Sequence, residues 1–255
     1  MHKFFAKTSF VGKNIIYLPD CHSTNSLLSQ YVKDRKVKPG TIVFTDFQSA
    51  GKGQRGNQWQ SRAAENLLFS VYIRPRRLEA KAQYLINLLT SLSVVRAIEE
   101  YHANISKLEI KWPNDIYLTG KKLAGILIEA QLSGKSVEHV VIGVGLNVHQ
   151  RSFGVANATS LDAENYPIDR WELLESFALS LEQNLELLDN AAQNELRQAY
   201  LERMRWLNEP HQYQITESGE LFEGEIAGID DFGRLIIAKD DGKQTFDIQQ
   251  IKFMV

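Results

Sequence analysis

The sequence predicts an α/β chain of the α+β kind, in which strands alternate with helices up to about residue 206 and short strands alone form a small C-terminal β-barrel. Three observations predict it. Apolar residues recur at 3–4 spacing in two long stretches, Leu85, Leu88, Leu92, Val95, Ile98 and then Trp171, Leu174, Phe177, Leu181, Leu185, Leu188, as on helix faces laid against other elements. Runs such as Thr41–Phe47 and Asn66–Ile73 are β-branched and aromatic, as strands are. After Leu207-Asn208-Glu209-Pro210 the pattern changes to short strands between Gly- and Asp-rich turns, which places a boundary between residues 1–207 and residues 208–255.

Asn14–Leu18 reads as a short buried strand that ends in the polar turn Pro19–Asn25. Ser23, Thr24 and Asn25 are favoured helix caps, and Leu27, Leu28, Tyr31 and Val32 follow at helical spacing. The same short side chains could instead recognise a neutral polar group, and a buried strand-to-helix turn can do both. Pro39-Gly40 turns the chain into the strand Thr41–Phe47, which leads through Gln48 to a glycine-rich loop, and Arg74-Pro75 stops the strand that follows it. A helix is expected over Glu79–Tyr101. Leu108–Trp112 alternates as a half-buried strand does, Pro113-Asn114-Asp115 turns, and Ile116–Leu118, Lys122–Glu129 and Val137–Val148 are further strands. Gly143 and Gly145 in the last of these invite close approach of another backbone or a ligand. Asp169 and Glu172 make a capping box for the helix from Trp171 to Leu188, and another helix runs from about Ala191 to Trp206. Strands at 211–216, 221–229, 235–239 and 245–248 complete the chain.

Composition excludes several classes of function. The net charge of −2 gives no basic footprint for bulk nucleic-acid binding. Lys7 interrupts the apolar start well before signal-peptide length, and no stretch approaches a membrane span. Cys21 is the single cysteine, so no intrachain disulfide forms, and the expectation is a cytoplasmic protein. The histidines at 2, 22, 102, 139, 149 and 211 lack metal-ligand spacing.

Chemistry concentrates in two segments. Gly51-Lys52-Gly53-Gln54-Arg55-Gly56-Asn57-Gln58-Trp59 packs glycines, two cations and an indole with almost no aliphatic content. It reads either as a solvated turn or as a loop whose backbone N–H groups and cations hold a small anion while Trp59 stacks on a ring. It matches Gly-x-Gly-x-x-Gly but lacks the βαβ context of a dinucleotide fingerprint, and Asn57 stands where a P-loop needs Lys-Ser/Thr. In the second segment, Lys111-Trp112-Pro113-Asn114-Asp115 with Lys122, a strand lysine either faces solvent or serves an interior anion. Asp115 is a hard oxygen ligand suited to Mg²⁺, Asn114 can read a polar edge, and the two lysines can neutralise phosphate oxygens. Together the segments describe a site that joins two anions.

With these residues assembled, the chain resembles the biotin protein ligases over nearly its whole length. The resemblance rests on Ser23-Thr24-Asn25, Phe47–Gly56 with Trp59, Lys111–Asp115, Lys121–Leu127 and Gly143-Val144-Gly145-Leu146-Asn147. It implies a mixed β-sheet with packed helices, a biotin/lipoate ligase-like catalytic domain, and an SH3-like C-terminal barrel. It also implies a reaction in which biotin and Mg-ATP give biotinyl-5′-AMP, whose acyl group passes to a lysine of a biotin carboxyl carrier protein. The resemblance places Ser23, Thr24, Asn25, Gln48, Gly51, Lys52, Gly53, Gln54, Lys122, Gly125 and Gly143 about biotin. Arg55, Asn57, Trp59, Asn114 and Asn147 fall on the nucleotide side, and Asp115 on the metal. Lys122, Lys111, Lys52 and Arg55 are the implied catalytic cations.

Two departures from the family pattern carry expectations. The family loop commonly reads Gly-Arg-Gly-Arg-Arg-Gly, whereas Lys52 and Gln54 stand here at its first and second arginines, so weaker retention of the adenylate is expected. Only 22 residues precede Ser23, too few for the winged helix-turn-helix of some members, so ligase without repressor activity, and no nucleic-acid partner, is expected. Exposed strand edges leave a homodimer open. The rival readings are a lipoate or octanoyl transferase of related fold, a nicotinamide-dependent oxidoreductase, and a non-catalytic module that binds carrier proteins.

Overall fold

The computed structural model describes residues 5, 7–189 and 192–254, with only the backbone of Arg55 and Asp189; part of the N-terminal stretch read above for a signal sequence thus lies outside the described residues. Seven strands form one sheet: β1 (Ile15–Cys21), β2 (Ile42–Gln48), β3 (Asn66–Ile73), β4 (Leu108–Lys111), β5 (Asp115–Leu118), β6 (Lys121–Ser133) and β7 (Ser136–Asn147). Their order is β1-β2-β3-β7-β6-β5-β4, with β1 parallel to β2 and the other neighbours antiparallel. The mixed sheet is therefore observed. Pro19-Asp20-Cys21 extends β1 instead of turning, which an edge strand tolerates because a proline there withholds no needed ladder bond.

Helix α1 (Thr24–Lys33) covers one face, burying Leu28 against Val43, Tyr72 and Val141. The other face carries α2 (Tyr84–Tyr101), with α3 (Arg170–Asp189) and α4 (Gln193–Glu202) packed on it in turn. Because α2 lies between the sheet and these helices, it buries Ile86, Leu89 and Val94 in addition to the predicted stripe. A 3₁₀ turn, Ala80–Ala82, occupies the first residues expected of it. Asp169 caps α3 by accepting from the Trp171 and Glu172 N–H groups at 2.8 and 3.1 Å. Helix α4 stops short of Trp206, since Arg203–Arg205 leave it to pair with β4, where Ile110 N–H donates to Arg203 O at 2.7 Å and Arg205 N–H to Ile110 O at 2.9 Å; Trp206 and Asn208 then hold φ of 61° and 58°, in the left-handed region.

The remaining strands, β8 (Pro210–Ile215), β9 (Leu221–Ile229), β10 (Leu235–Lys239), β11 (Gly242–Phe246) and β12 (Ile251–Phe253), form a small antiparallel sheet in the order β11-β10-β9-β8-β12. Its interior is Tyr213, Ile226, Leu235, Ile237, Phe246 and Ile251. Strand β12 was not legible, being three residues long and defined only by its pairing with β8. Contacts join the two sheets: the Trp112 indole donates to Gly233 O at 3.0 Å, and Arg197 pairs with Asp231 at 3.2 Å. No helix among the described residues is long and apolar enough to cross a membrane.

The N-terminal segment is pinned by one buried carboxylate. Glu182 on α3 accepts from the N–H groups of Phe10 and Val11 at 2.9 and 3.0 Å, and from that of Ser9. Burial by itself would raise its pKa, but these backbone donors outweigh burial and hold it below the ordinary glutamate value. A depressed folded-state pKa contributes stability above the unfolded value that is lost as pH falls through the folded one. Glu182→Gln is therefore expected to cost about 1.5–3 kcal/mol near neutral pH. Urea melts should show the variant's deficit shrinking at about pH 3, below the ordinary glutamate range, and an equal deficit at both pH values would refute the account.

Candidate active site

A cleft of about 450 Å³ opens between the α1 face of the large sheet and the last strand of the small one. Its floor is made of glycine. Gly125 on β6 and Gly145 on β7 are register partners, and the Trp59 indole lies on them: a Cβ at Gly145 would stand 2.4 Å from the ring Cε2, and one at Gly125 3.0 Å from Cζ3. Gly143, on the same face as Gly145, makes room for Asn25, whose Oδ1 would lie 2.2 Å from an added Cβ.

One end of the cleft is a buried polar network. Ser23 caps α1 by accepting from Ser26 N–H, so the two readings of Ser-Thr-Asn coexist: the cap fixes the helix start, and Thr24 and Asn25 face the sheet. Thr24 donates to Gln48 Oε1 through its N–H at 2.8 Å and its hydroxyl at 3.2 Å. The Ser70 hydroxyl lies 2.8 Å from Thr24 Oγ1 and 2.5 Å from Asn25 Oδ1, and the Asn25 amide donates to Glu129 Oε2 at 3.0 Å. Such a network fixes hydroxyl and amide groups in position for a neutral polar ligand.

The glycine loop is an ordered hairpin. Trp59 N–H donates to Gly51 O at 2.9 Å and Gly53 N–H to Asn57 O at 2.7 Å, around a 3₁₀ turn at Gln54–Gly56. Gly51 packs against the other arm of the hairpin and does not itself line the cleft: a Cβ there would come within 2.5 Å of Trp59 O. Lys52, Gly53, Gln54 and Asn57 line the cleft, whereas the Arg55 side chain lies outside the described residues. Gln54 donates to Asn114 Oδ1 at 2.9 Å, tying the hairpin to the β4–β5 turn.

The two lysines enter from the far strands. Lys122 on β6 donates to Asp115 Oδ2 at 2.6 Å and lies 6.0 Å from the Trp59 ring. Lys111 ends β4 opposite Asp115 and also faces the cleft. Burial holds its pKa below the ordinary lysine value; Lys122 and Arg205 add to that, and Asp115 opposes it.

Asn114 and Asn147, expected on the nucleotide side, are engaged with the scaffold around the cleft. The Asn114 amide is buried and donates to Asn87 Oδ1 at 2.9 Å and Ile126 O at 3.2 Å, and the Asn147 amide donates to Thr159 O at 2.9 Å. Neither lines the cleft. Both amides are occupied in holding neighbouring segments of chain.

Comparison with known proteins identifies the family. Residues 17–147 match the profile of the biotin/lipoate A/B protein ligase family, and residues 214–250 that of the biotin protein ligase C terminal domain. The chain belongs to this family. It is 31% identical over 246 residues to the bifunctional ligase/repressor BirA of Bacillus spizizenii, covering 94% of this chain and 74% of the relative. It is 31% identical over 231 residues to the biotin–[acetyl-CoA-carboxylase] ligase of Paracoccus denitrificans, covering 86% of this chain and 94% of that one. The biotin protein ligase from Aquifex aeolicus, solved in complex with biotin and ATP, superposes with a TM-score of 0.78 at 27% identity, covering 95% of this chain and 99% of the other. The chain is thus a biotin protein ligase with catalytic and C-terminal domains.

Several residues of the ligase cleft escaped the sequence reading. Ser70 and Glu129 hold Asn25 in place, and Ile248, Ile251, Lys252 and Phe253 bring the C-terminal sheet into the cleft wall. A signal for Ser70 existed: it is the one small hydroxyl residue in the apolar strand Asn66–Ile73.

Proposed function

We infer that the cleft brings the carboxylate of biotin against the α-phosphate of ATP, with the roles of its residues divided along its length. The enzyme activates biotin as biotinyl-5′-AMP and transfers the biotinyl group to a carrier protein. In the first step a carboxylate oxygen bonds to the α-phosphorus and pyrophosphate leaves. In the second, a carrier lysine amine attacks the acyl carbon, AMP leaves, and the amine loses its proton to give the amide. The observation that carries this reading is the convergence of Lys111 and Lys122 on a cleft that ends in the Gln48–Thr24–Ser70–Asn25 network.

In this reading the network holds the neutral ring system of biotin, Trp59 and the glycine floor support the ligand, and Lys122 stands at the carboxylate–phosphate junction. Lys111 and Lys52 offset charge on the phosphates, as two anionic reactants require. No protein nucleophile is needed, so positioning supplies much of the rate. Asp115 is the sole carboxylate lining the cleft among the described residues, and no group of three His, Cys, Asp or Glu able to hold an ion gathers there. That donor set suits Mg²⁺ carried chiefly by the nucleotide phosphates, which Asp115 would help to hold. When bound, the ion neutralises phosphate oxygens. Residues 1–207 make the catalytic domain and residues 208–255 the C-terminal domain, and dependence on ATP and a carboxylase carrier suits a cytoplasmic enzyme.

Biotin-dependent exchange of labelled pyrophosphate into ATP tests the reading. Exchange with biotin and none with lipoate is expected, and exchange with lipoate alone would overturn the substrate. The loop adds a second expectation. Gln54 closes the hairpin onto Asn114 with a neutral bond, so Gln54→Arg, which adds a cation over the intermediate, is expected to slow adenylate release several-fold. Equal release rates would count against it.

A further inference from the structure

The two cleft lysines are held in different ways. Asp115 is the cross-strand partner of Lys111, yet its carboxylate is bonded to Lys122 at 2.6 Å, and among the described residues Lys111 has no ion pair. Three ring faces surround its ammonium instead: Phe253 of β12 at 5.0 Å, Trp206 at 5.5 Å and Tyr117 of β5 at 5.7 Å. The cage is itself braced. The Trp206 ring stacks on His211 at 4.1 Å and on Phe253 at 5.5 Å, and the Arg205 guanidinium covers it at 4.5 Å. Trp206 takes a φ of 61°, which a bulky side chain rarely adopts, so the backbone bears strain where this ring is placed.

We propose that Phe253 and Trp206 are positioning residues that hold the Lys111 ammonium without neutralising it, so that it meets the nucleotide phosphates with its charge uncommitted. This rests on the adenylation reading above. A carboxylate partner must be displaced when a phosphate arrives, as Asp115 must at least in part be from Lys122. A ring face attracts the cation through its quadrupole and leaves the N–H donors free. Burial alone would favour the neutral amine, and the nearby cations Lys122 of β6 and Arg205, with His211 of β8 when protonated, push the same way; the ring faces and Asp115 of β5 work against them. The last strand of the C-terminal sheet therefore acts on the nucleotide through a catalytic-domain lysine.

Pyrophosphate exchange by the full chain, compared among wild type, Phe253→Leu and Phe253→Tyr, tests the proposal. Leucine keeps apolar bulk without a π face, and its KM for ATP is expected to rise about three- to tenfold with kcat and biotin affinity unchanged. Tyrosine should stay within about twofold of wild type, since its ring carries a similar quadrupole. In a Lys111→Met background, Phe253→Leu should add nothing. A leucine variant equal to wild type, equal impairment by leucine and tyrosine, or an undiminished effect without Lys111 would each overturn the cage. A wild-type chain without biotin-dependent exchange would instead overturn the adenylation reading, before any variant is compared.

Discussion

Lys122→Ala is expected to lower biotin-dependent pyrophosphate exchange by about 10²–10³-fold, the loss typical of removing one donor aimed at charge that develops in a transition state. The ammonium enters the cleft from β6 beside Trp59, and its removal also leaves the Asp115 carboxylate unpaired next to the incoming phosphates. Two penalties then act together: a missing cation and an exposed anion. The side chain is about one-third exposed and packs in no core, so the melting temperature should change little. Lys122→Arg keeps a cation beside the Asp115 carboxylate, so its exchange rate should fall less. A Lys122→Ala rate within about tenfold of wild type would remove Lys122 from the junction.

The next largest effect is expected at a residue without a side chain. Gly145→Ala puts a methyl 2.4 Å from the Trp59 ring, so the indole must lift off its floor and carry the hairpin with it. A displacement of about 1 Å at the reacting centre can cost about 10²-fold, and a loss of that order in kcat/KM is expected. Gly145 is not among the glycines at positive φ, so the substitution adds no backbone strain and the fold should persist. Gly125→Ala makes the graded control: its Cβ would meet the same ring at 3.0 Å, a contact that a small shift relieves. Equal losses at the two positions, or none at Gly145, would show that the seat of Trp59 does not set the rate.

How far the sequence reveals this site depends on whether a residue carries its signal locally. The glycine hairpin, Lys111–Asp115 and the Ser23 cap stand out because composition and spacing within a few residues betray them. Ser70 and Glu129 do not, since their partner Asn25 lies 45 and 104 residues away, and packing alone brings them together. Asn114 and Asn147 stand out in their motifs, but their partners, Asn87, Ile126 and Thr159, with Gln54 on the Asn114 oxygen, were not legible in the sequence. Strand β12 and the early end of α4 were likewise invisible, one set by pairing with β8 and the other by pairing of residues 203–205 with Ile110 of β4. Helical periodicity placed α2 and α3 well because each buries a long stripe. It understated α2, which tertiary packing covers on nearly every side.

Because Phe253 belongs to the far wall of the cleft, the order in which the chain is made matters for what a ribosome-bound ligase can do. Synthesis delivers the Ser23–Asn25 end, the glycine floor and both lysines long before Ile251–Phe253 emerges. A nascent chain halted short of β12 therefore has the Ser23–Asn25 end of the cleft but an unfinished wall beside Lys111.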